Sequence, residues 1–219
     1  MPDEIIEVII ATRNRLRKLQ QTLKSLIKQN INLCIKICCD DDIITYNWCI
    51  DHKYEVYNYA SHVGSVACRN FLSQKTIGSV IYSTDDIIFQ PESIKIAINS
   101  LIERWPDTDG IIGFNQTGNT NKVPCKSGIA LVGRKFMDRF PNRRMFCPKF
   151  FHFAAQEIQM IGEHYHRFYF NEQAIIHHLS PFKESRYMDK THMDARIHKQ
   201  CDHLLMQERK IKGLIWGVP

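Results

Sequence analysis

The sequence predicts an α/β fold: a single domain with a mainly parallel central sheet flanked by helices, and a mixed second half. In the first half, short apolar runs alternate with segments whose apolar residues recur at helical spacing, which is typical of strands joined by crossover helices. After Gly110 this alternation ends, and strand-like runs follow one another across a polar loop. The 219 residues suffice for one well-buried core, and no internal repeat or Pro/Gly-rich linker divides them.

The first half is predicted to hold four strands and three helices. Residues 5–11 form a nearly continuous apolar run, which predicts a buried strand, and leucines at helical spacing predict a helix over residues 16–29. The remaining elements of this half are, in chain order, strands at 33–39 and 55–59, a helix opening at Gly64, a strand at 79–86 and a helix starting near Pro91. This order implies right-handed crossovers between parallel strands.

The second half is predicted to mix strands and helices without regular alternation. Its elements are strands at 111–114 and 128–132 with a loop at 116–122 between them, a helix at 154–163, strands at 167–170 and 174–177, and a polar helix over 189–210. We expect one domain over residues 1–185, divided into parts at 1–110 and 111–185, followed by a helical tail at residues 186–219.

The composition is that of an ordinary globular protein. Apolar residues make up 44% and charged residues 24%, which excludes disorder, and the net charge of +6 permits a polyanionic partner without requiring one. The acidic residues 1–4 do not resemble a signal peptide, and no apolar stretch approaches the roughly 20 residues of a membrane span, so we expect a cytoplasmic protein. The eight cysteines contain no Cys-x-x-Cys pair and are expected to be free thiols.

Polar residues gather where three predicted strands end: Thr12-Arg13-Asn14, Asp40-Asp41-Asp42 and Thr84-Asp85-Asp86. Ligands of open α/β sheets bind at the carboxyl ends of strands. Carboxylates there suit Mg²⁺ or Mn²⁺, and such an ion can hold a diphosphate; a solvated Asp-Asp turn is the alternative. The first strand is followed by no Gly-x-Gly-x-x-Gly, and the chain has no Gly-Lys-Ser/Thr, so a Rossmann site and a P-loop are both disfavoured.

Five short motifs in sequence order resemble the family 2 glycosyltransferases, which have the GT-A fold. They cover roughly residues 5–180 and are Ile9-Ile10-Ala11-Thr12-Arg13-Asn14-Arg15, Cys39-Asp40-Asp41, Gly64-x-x-x-Ala67-x-Arg69-Asn70, Tyr82-Ser83-Thr84-Asp85-Asp86 and Ala174-Ile175-Ile176-His177-His178. The resemblance implies a nucleotide-sugar-binding part at 1–110 and an acceptor and catalytic part at 111–185.

The resemblance also implies roles for individual residues. Asp86 and one histidine of the last motif would bind Mn²⁺ or Mg²⁺; adjacent strand residues point to opposite faces, and we favour His178 because it ends the strand. The residues implied in binding the nucleotide sugar are Thr12, Arg13, Asn14, Asp40, Asp41, Arg69, Thr84 and Asp85. Thr84 stands where the family carries the first aspartate of its metal motif, so the implied metal site has one carboxylate fewer than in the family.

The resemblance implies a catalytic carboxylate on the helix that follows the acceptor loop, and Glu157 is the candidate base because it is the only early carboxylate of the predicted helix at 154–163. Ala155 stands where the family's aspartate is expected, and a solvated helix glutamate is the alternative. If Glu157 is not the base, His152 is the next candidate.

The segment from Arg134 to Phe151 combines six basic residues with five phenylalanines in the region implied to flank the acceptor. We expect Arg143 and Arg144 to contact the acceptor. A basic rim around a saccharide acceptor is favoured over a nucleic-acid acceptor, although basic and aromatic segments also suit single strands.

Taken together, these features predict a metal-dependent, inverting glycosyltransferase that uses a nucleoside-diphosphate sugar and a hydroxyl acceptor. A sugar-phosphate nucleotidyltransferase is one alternative, but it would need glycines after the first strand, where Thr12-Arg13-Asn14-Arg15 has none. A non-catalytic binding module is the other, kept open by Thr84 and Ala155.

Overall fold

The computed structural model describes residues 5–117, 125–179 and 188–219, and its sheet has eight strands in the order β3-β2-β1-β4-β7-β6-β8-β5. These strands are β1 (Ile6–Thr12), β2 (Leu33–Asp40), β3 (Glu55–Tyr59), β4 (Ser79–Thr84), β5 (Ile87–Phe89), β6 (Ile111–Thr117), β7 (Ala130–Val132) and β8 (Phe168–His178). The first four pair in parallel, whereas β7 is antiparallel to both neighbours and β5 is antiparallel to β8. The predicted parallel sheet with a mixed second half is confirmed.

The helices cover both faces of this sheet. They are α1 (Leu16–Ile27), α2 (Ile43–Asp51), α3 (Ser65–Ser73), α4 (Ser93–Arg104), α5 (Arg134–Met137), α6 (Ala155–His164) and α7 (Lys190–Ile211), with a 3₁₀ turn at Pro141–Arg143. Within the described parts of the chain, no helix combines the length and apolar character needed to cross a membrane.

Alternate residues of β1 enter two separate cores. Val8 and Ile10 pack with α1 and α4 on one face, and Ile9 and Ala11 pack with α3, α5 and α6 on the other. Both sets are buried, which explains why the strand is apolar apart from Glu7 and the terminal Thr12. The eight cysteines, all within the described residues, are free thiols as predicted.

Several elements differ from the predictions. Helices α2 and α5 and strand β5 were not predicted, and the two strands predicted near the end of the sheet form the continuous strand β8. The loop predicted at 116–122 begins inside β6, and its remainder from residue 118 lies outside the described residues. The helical tail is present as α7, which packs against the domain through Met206.

Gly64 fixes the connection between β3 and α3. Its φ of 87° lies in the left-handed region, and an added Cβ would meet the carbonyl oxygen of Phe151 at 2.6 Å. The amide of Val66 donates to that same oxygen at 3.1 Å. This glycine therefore lets the segment before α6 approach the start of α3 closely.

Candidate functional site

The candidate site lies at the carboxyl end of β4, where Asp85 and Asp86 turn the chain into β5. Only 2% and 1% of these residues are exposed, so a solvated turn is ruled out. The hydroxyl of Thr12, at the end of β1, donates to Asp85 Oδ2 (2.8 Å), and that of Thr84 donates to Asp86 Oδ1 (2.6 Å). Because buried carboxylate charge is costly unless it is paired, both groups also require cationic partners.

Arg15 is the first of these cationic partners. Its Nη1 lies 3.2 Å from Asp85 Oδ1 and 3.3 Å from Asp86 Oδ2, and its Nη2 donates to Asp189 Oδ1 at 2.9 Å. Lys18 donates to the other oxygen of Asp189 at 2.6 Å. Sequence reasoning assigned no role to Arg15, Lys18 or Asp189, although Arg15 belongs to the first of the five motifs.

Two histidines flank the carboxylate of Asp86. Strand β5 pairs with β8 so that Ile87 lies opposite His178, and Nε2 of His178 lies 3.3 Å from Asp86 Oδ1. His192, near the start of α7, has its Nε2 3.6 Å from Asp86 Oδ2. Of the two adjacent histidines that end β8, His178 thus contacts the aspartate; His192 was missed because no motif contains it.

The two carboxylates are shifted in opposite directions. For Asp85, burial outweighs the attraction of Arg15 and raises the pKa. For Asp86, burial is outweighed by the two histidines and Arg15, which hold its pKa well below the usual range. Asp86 is therefore the member of the pair that stays ionised, and such separation of two acid groups is typical of functional sites.

The surroundings of Asp86 fit a divalent cation. Nδ1 of His178 lies 3.3 Å from Gln116 Oε1; when Nδ1 carries the proton and donates to that oxygen, Nε2 turns a lone pair toward Asp86. In that tautomer, His178 Nε2 and Asp86 Oδ1 are two ligand atoms 3.3 Å apart, which one divalent cation can share; with Nε2 protonated, the same contact is a hydrogen bond. Across the described ranges 5–117, 125–179 and 188–219, no group of three or more His, Cys, Asp or Glu residues could hold a metal ion. A cation at Asp86 would therefore need further oxygens, as Mg²⁺ commonly obtains from phosphate.

Asp40, which ends β2, is held mainly by backbone groups. Its carboxylate accepts hydrogen bonds from the N–H groups of Val63 (2.7 Å) and Gly64 (3.0 Å), and from Nδ1 of His62 (2.6 Å). Only 3% of Asp40 is exposed. These partners occupy both carboxylate oxygens, so Asp40 fixes the loop that precedes α3.

The two residues after Asp40 have different roles in this turn. Asp42 caps α2 by accepting from the amide of Thr45 (3.1 Å), and its other oxygen accepts from the amide of Asn14 (2.7 Å). Asp41 is exposed and adopts a φ of 57°, which turns it out of the strand. Of this acidic turn, Asp41 is the residue whose carboxylate faces solvent.

Arg69 lies buried on α3, with its guanidinium carbon 5.7 Å from the centre of the Phe146 ring. Its Nε has no hydrogen-bond partner among the described residues. Burial lowers the pKa of Arg69, and the charges of Asp85 and Asp86 oppose that shift. A buried guanidinium with an unpaired N–H beside the acidic pair is suited to bind an anion.

Glu157 lies in the first turn of α6, and only 2% of it is exposed. Its Oε1 accepts from Nε of Arg209 at 2.5 Å, while Oε2 has no hydrogen-bond partner in the described part of the chain. Burial raises the pKa of Glu157 against the attraction of Arg209. Its alternative, His152, has a pKa lowered by burial to about 3, so it is a weak base.

The predicted acceptor segment is mostly core. Four of its phenylalanines are at most 4% exposed, so they cannot stack on nucleic-acid bases: Phe136, Phe140, Phe146 and Phe150. Arg143 Nη1 donates to Asp138 Oδ1 at 2.5 Å, and the carbonyl of Arg144 accepts from Nε1 of Trp216 at 2.7 Å. These four rings pack in the core, so they give no support to the alternative of a nucleic-acid acceptor.

The structure thus brings together five of the predicted site residues at the end of β4: Thr12, Thr84, Asp85, Asp86 and His178. Asp40, Glu157 and Arg143 instead have close partners of their own. Arg13 is joined to α7, where its Nη1 donates to Asp194 Oδ2 at 2.7 Å.

Solved structures of three other proteins share this fold. A mannosyltransferase from Pyrobaculum calidifontis in complex with GDP-Man and Mn²⁺ has a TM-score of 0.62 at 13% identity, over 80% of this chain and 56% of that one. Residues 1–349 of S. aureus TarS give 0.65 at 13% identity, over 84% and 63%. Glucosyl-3-phosphoglycerate synthase from Mycobacterium tuberculosis, in complex with Mn²⁺, UDP and glucosyl-3-phosphoglycerate, gives 0.60 at 11% identity, over 80% and 72%.

These comparisons establish the class of fold. No protein-family model and no curated protein matches the chain. The chain spans 56% and 63% of the first two solved structures, and at 13% identity the likeness concerns the fold. The protein has a GT-A-type glycosyltransferase fold, as the sequence resemblance implied.

Proposed function

We propose that the protein is a metal-dependent, inverting glycosyltransferase that moves a sugar from a nucleoside-diphosphate sugar to an acceptor hydroxyl. The observation that carries the proposal is the ionised Asp86 facing His178 at 3.3 Å, at the carboxyl end of β4 in a GT-A-type fold. The complexes of two proteins with this fold, which contain GDP-Man or UDP together with Mn²⁺, support it further.

Asp86 and His178 would hold Mn²⁺ or Mg²⁺, and Thr84 would orient the aspartate through its 2.6 Å hydrogen bond. The ion would stabilise the negative charge of the departing nucleoside diphosphate. Asp85, held by Thr12 and Arg15, would fix the end of β1 against β4. In this assignment Asp85 positions the site, and Asp86 contacts the ion.

The nucleotide would lie along the ends of β1 and β2. Asp41 is proposed to accept a hydrogen bond from the base, because its carboxylate is exposed while those of Asp40 and Asp42 are occupied. Arg69, whose Nε has no hydrogen-bond partner among the described residues, is proposed to attract the negative charge of the phosphates. Asn14 would shape the loop through its backbone bond to Asp42.

Glu157 is proposed to deprotonate the acceptor hydroxyl. A raised pKa is the direction that a general base needs at neutral pH, and Oε2 is the oxygen left for the proton, since Oε1 binds Arg209. A saccharide or other small hydroxyl acceptor is proposed, with Arg143 and Arg144 at the rim of its site.

The activity is tested by incubating the protein with Mn²⁺ and a panel of nucleotide sugars while donor hydrolysis and transfer are followed. Glu157→Gln should then retain donor affinity but lower turnover about 100-fold or more, the scale of lost acid–base catalysis. The matched control is Glu163→Gln on the same helix, where the side chain is exposed and should not affect turnover. Unchanged turnover in Glu157→Gln would remove the base assignment.

A non-catalytic nucleotide-sugar-binding module is the second candidate. It is favoured by the ion pair of Glu157 with Arg209, which holds the proposed base in a buried contact. Donor binding without transfer across a broad acceptor panel would support the module over the enzyme.

A further inference from the structure

The first half of helix α7 lies across the end of β1 and contacts three cations there. Asp194 accepts from Arg13 at 2.7 Å, and Asp189 accepts from Arg15 at 2.9 Å and from Lys18 at 2.6 Å. Burial disfavours the charge of Asp189, but its bonds to His192, Arg15 and Lys18 outweigh this and hold its pKa far below normal. These cations therefore bind two carboxylates that reach them from the far end of the chain.

The two halves of α7 are attached in different ways. The buried residues of this helix, Asp202, Met206 and Arg209, all belong to its second half. Asp202 accepts hydrogen bonds from the amides of residues 151–153, and Met206 enters the core. Residues 190–201 are all exposed or half-buried, so the first half is held by polar and ionic contacts and by the stacking of His198 on Phe151, whose ring centres lie 3.9 Å apart. Such contacts are individually weak, and an anion can compete for them.

A cleft opens beside two of these cations, Arg15 and Lys18. It has a volume of about 500 Å³ and lies between the starts of α1 and α2, with Arg15, Lys18, Asp42 and Asp189 in its wall. This volume is within the range of small-ligand sites. Arg15, in the wall of the cleft, also contacts Asp85 and Asp86, so this residue links the cleft to the proposed metal site.

We propose that Arg13, Arg15 and Lys18 form a diphosphate-binding site, which Asp189 and Asp194 occupy until a diphosphate displaces them. The inference rests on the proposed function, because a nucleotide sugar supplies the diphosphate. The diphosphate of a nucleotide sugar carries the same charge as the two carboxylates that it would replace, so the cations stay paired in both states. Asp189 and Asp194 then have to move away from these cations for the donor to bind, while Asp202 and Arg209 keep the second half of α7 in place.

The test uses inorganic pyrophosphate without metal, which probes the cations independently of Asp86. Asp189→Asn/Asp194→Asn should bind pyrophosphate about tenfold or more tightly than the unmodified protein, because the competing charges are gone. Asparagine is as good an N-cap as aspartate, so α7 still has a cap at residue 189. The control is Glu163→Gln/Glu208→Gln, which changes the net charge equally at two exposed residues.

A third variant and a second measurement locate the binding site. Adding Lys18→Gln to the double asparagine variant should reverse most of the gain in affinity. In the unmodified protein, pyrophosphate should speed amide hydrogen exchange in residues 190–197 but not in 202–209. Equal affinity in the unmodified protein and the asparagine variant, or an equal gain in the glutamine control, would overturn the inference.

The proposed function fails separately from this inference. If the asparagine variant gains pyrophosphate affinity but the protein turns over no nucleotide sugar, the anion site is supported and the proposed transferase activity is rejected. If the protein transfers sugar but the asparagine variant and the unmodified protein bind pyrophosphate equally well, only the proposed role of α7 is rejected.

Discussion

Two acidic turns lie at the carboxyl ends of the parallel strands β2 and β4, but different groups balance their charges. In the turn at residues 40–42, backbone N–H groups bind Asp40 and Asp42. In the turn at residues 84–86, the side chains of Arg15, His178 and His192 surround the carboxylates. The first turn holds the loops together through the backbone, whereas the second gathers charged side chains at one point.

The difference indicates which turn can exchange its partners. A backbone amide cannot leave its carboxylate without moving the chain, and a buried amide left unpaired costs about 1–3 kcal/mol. A side-chain cation can rotate away when a metal ion or phosphate takes its place. The fixed partners of Asp40 therefore suit a structural role, and the exchangeable partners of Asp86 suit a ligand-binding site.

The largest expected effect on stability comes from the turn at residues 40–42, whose carboxylates accept backbone hydrogen bonds. Asp40→Ala leaves the amides of Val63 and Gly64 without their acceptor and should lower the free energy of unfolding by about 3 kcal/mol. Asp41→Ala, one residue further at an exposed position, should change it by less than about 0.5 kcal/mol. Urea denaturation of both variants checks this. Similar losses in the two would show that the backbone bonds of Asp40 do not fix the loop.

A smaller effect is expected from His152, which lies beside the partner of Asp40, with 5.8 Å between the ring centres of His62 and His152. Burial lowers the pKa of His152 to about 3, below the usual 6.5, so below pH 6.5 the unfolded chain binds a proton that the folded chain does not. Stability is therefore lost as the pH falls from about 6.5 towards 3, and this group should cost about 2 kcal/mol between pH 7 and pH 5.

His152→Asn should remove that part of the pH dependence, because asparagine does not titrate. Exposed His203 provides the matched control, and His203→Asn should retain the full loss between pH 7 and pH 5. Urea denaturation at the two pH values measures the difference. An identical pH dependence in His152→Asn and the unmodified protein would contradict the burial of a neutral imidazole.

Most of the fold could be predicted because its buried strands are mainly apolar. Helix α2 was missed because its apolar residues form no single buried stripe: Ile43, Ile44 and Ile50 are 58%, 72% and 50% exposed. The capping pair Asp42 and Thr45 was the signal that could have found it. Strand β5 has three residues, too few for any periodic pattern.

Part of the candidate site could be predicted, namely the residues that lie in recognisable motifs at strand ends. Asp86 and His178 lie in motifs at strand ends, where the order of the strands brings them together. Asp189 and His192 lie in a polar helix whose pattern contains no information on where it docks. The bond between Arg15 and Asp189 joins residues 174 positions apart, so only the folded chain reveals it.

The central claim is that the turn at residues 84–86 binds a divalent cation together with a nucleoside diphosphate. The most direct measurement is the melting temperature with Mn²⁺ and each of UDP, GDP, CDP and dTDP, for the unmodified protein, Asp86→Ala and the exposed control Asp107→Ala. The account predicts that at least one diphosphate raises the melting temperature by a few degrees only when Mn²⁺ is present, because ligands that bind the folded state stabilise it. Asp107→Ala should retain this rise, and Asp86→Ala should lose it while remaining folded. An undiminished rise in Asp86→Ala, or no rise with any diphosphate in the unmodified protein, would contradict the account.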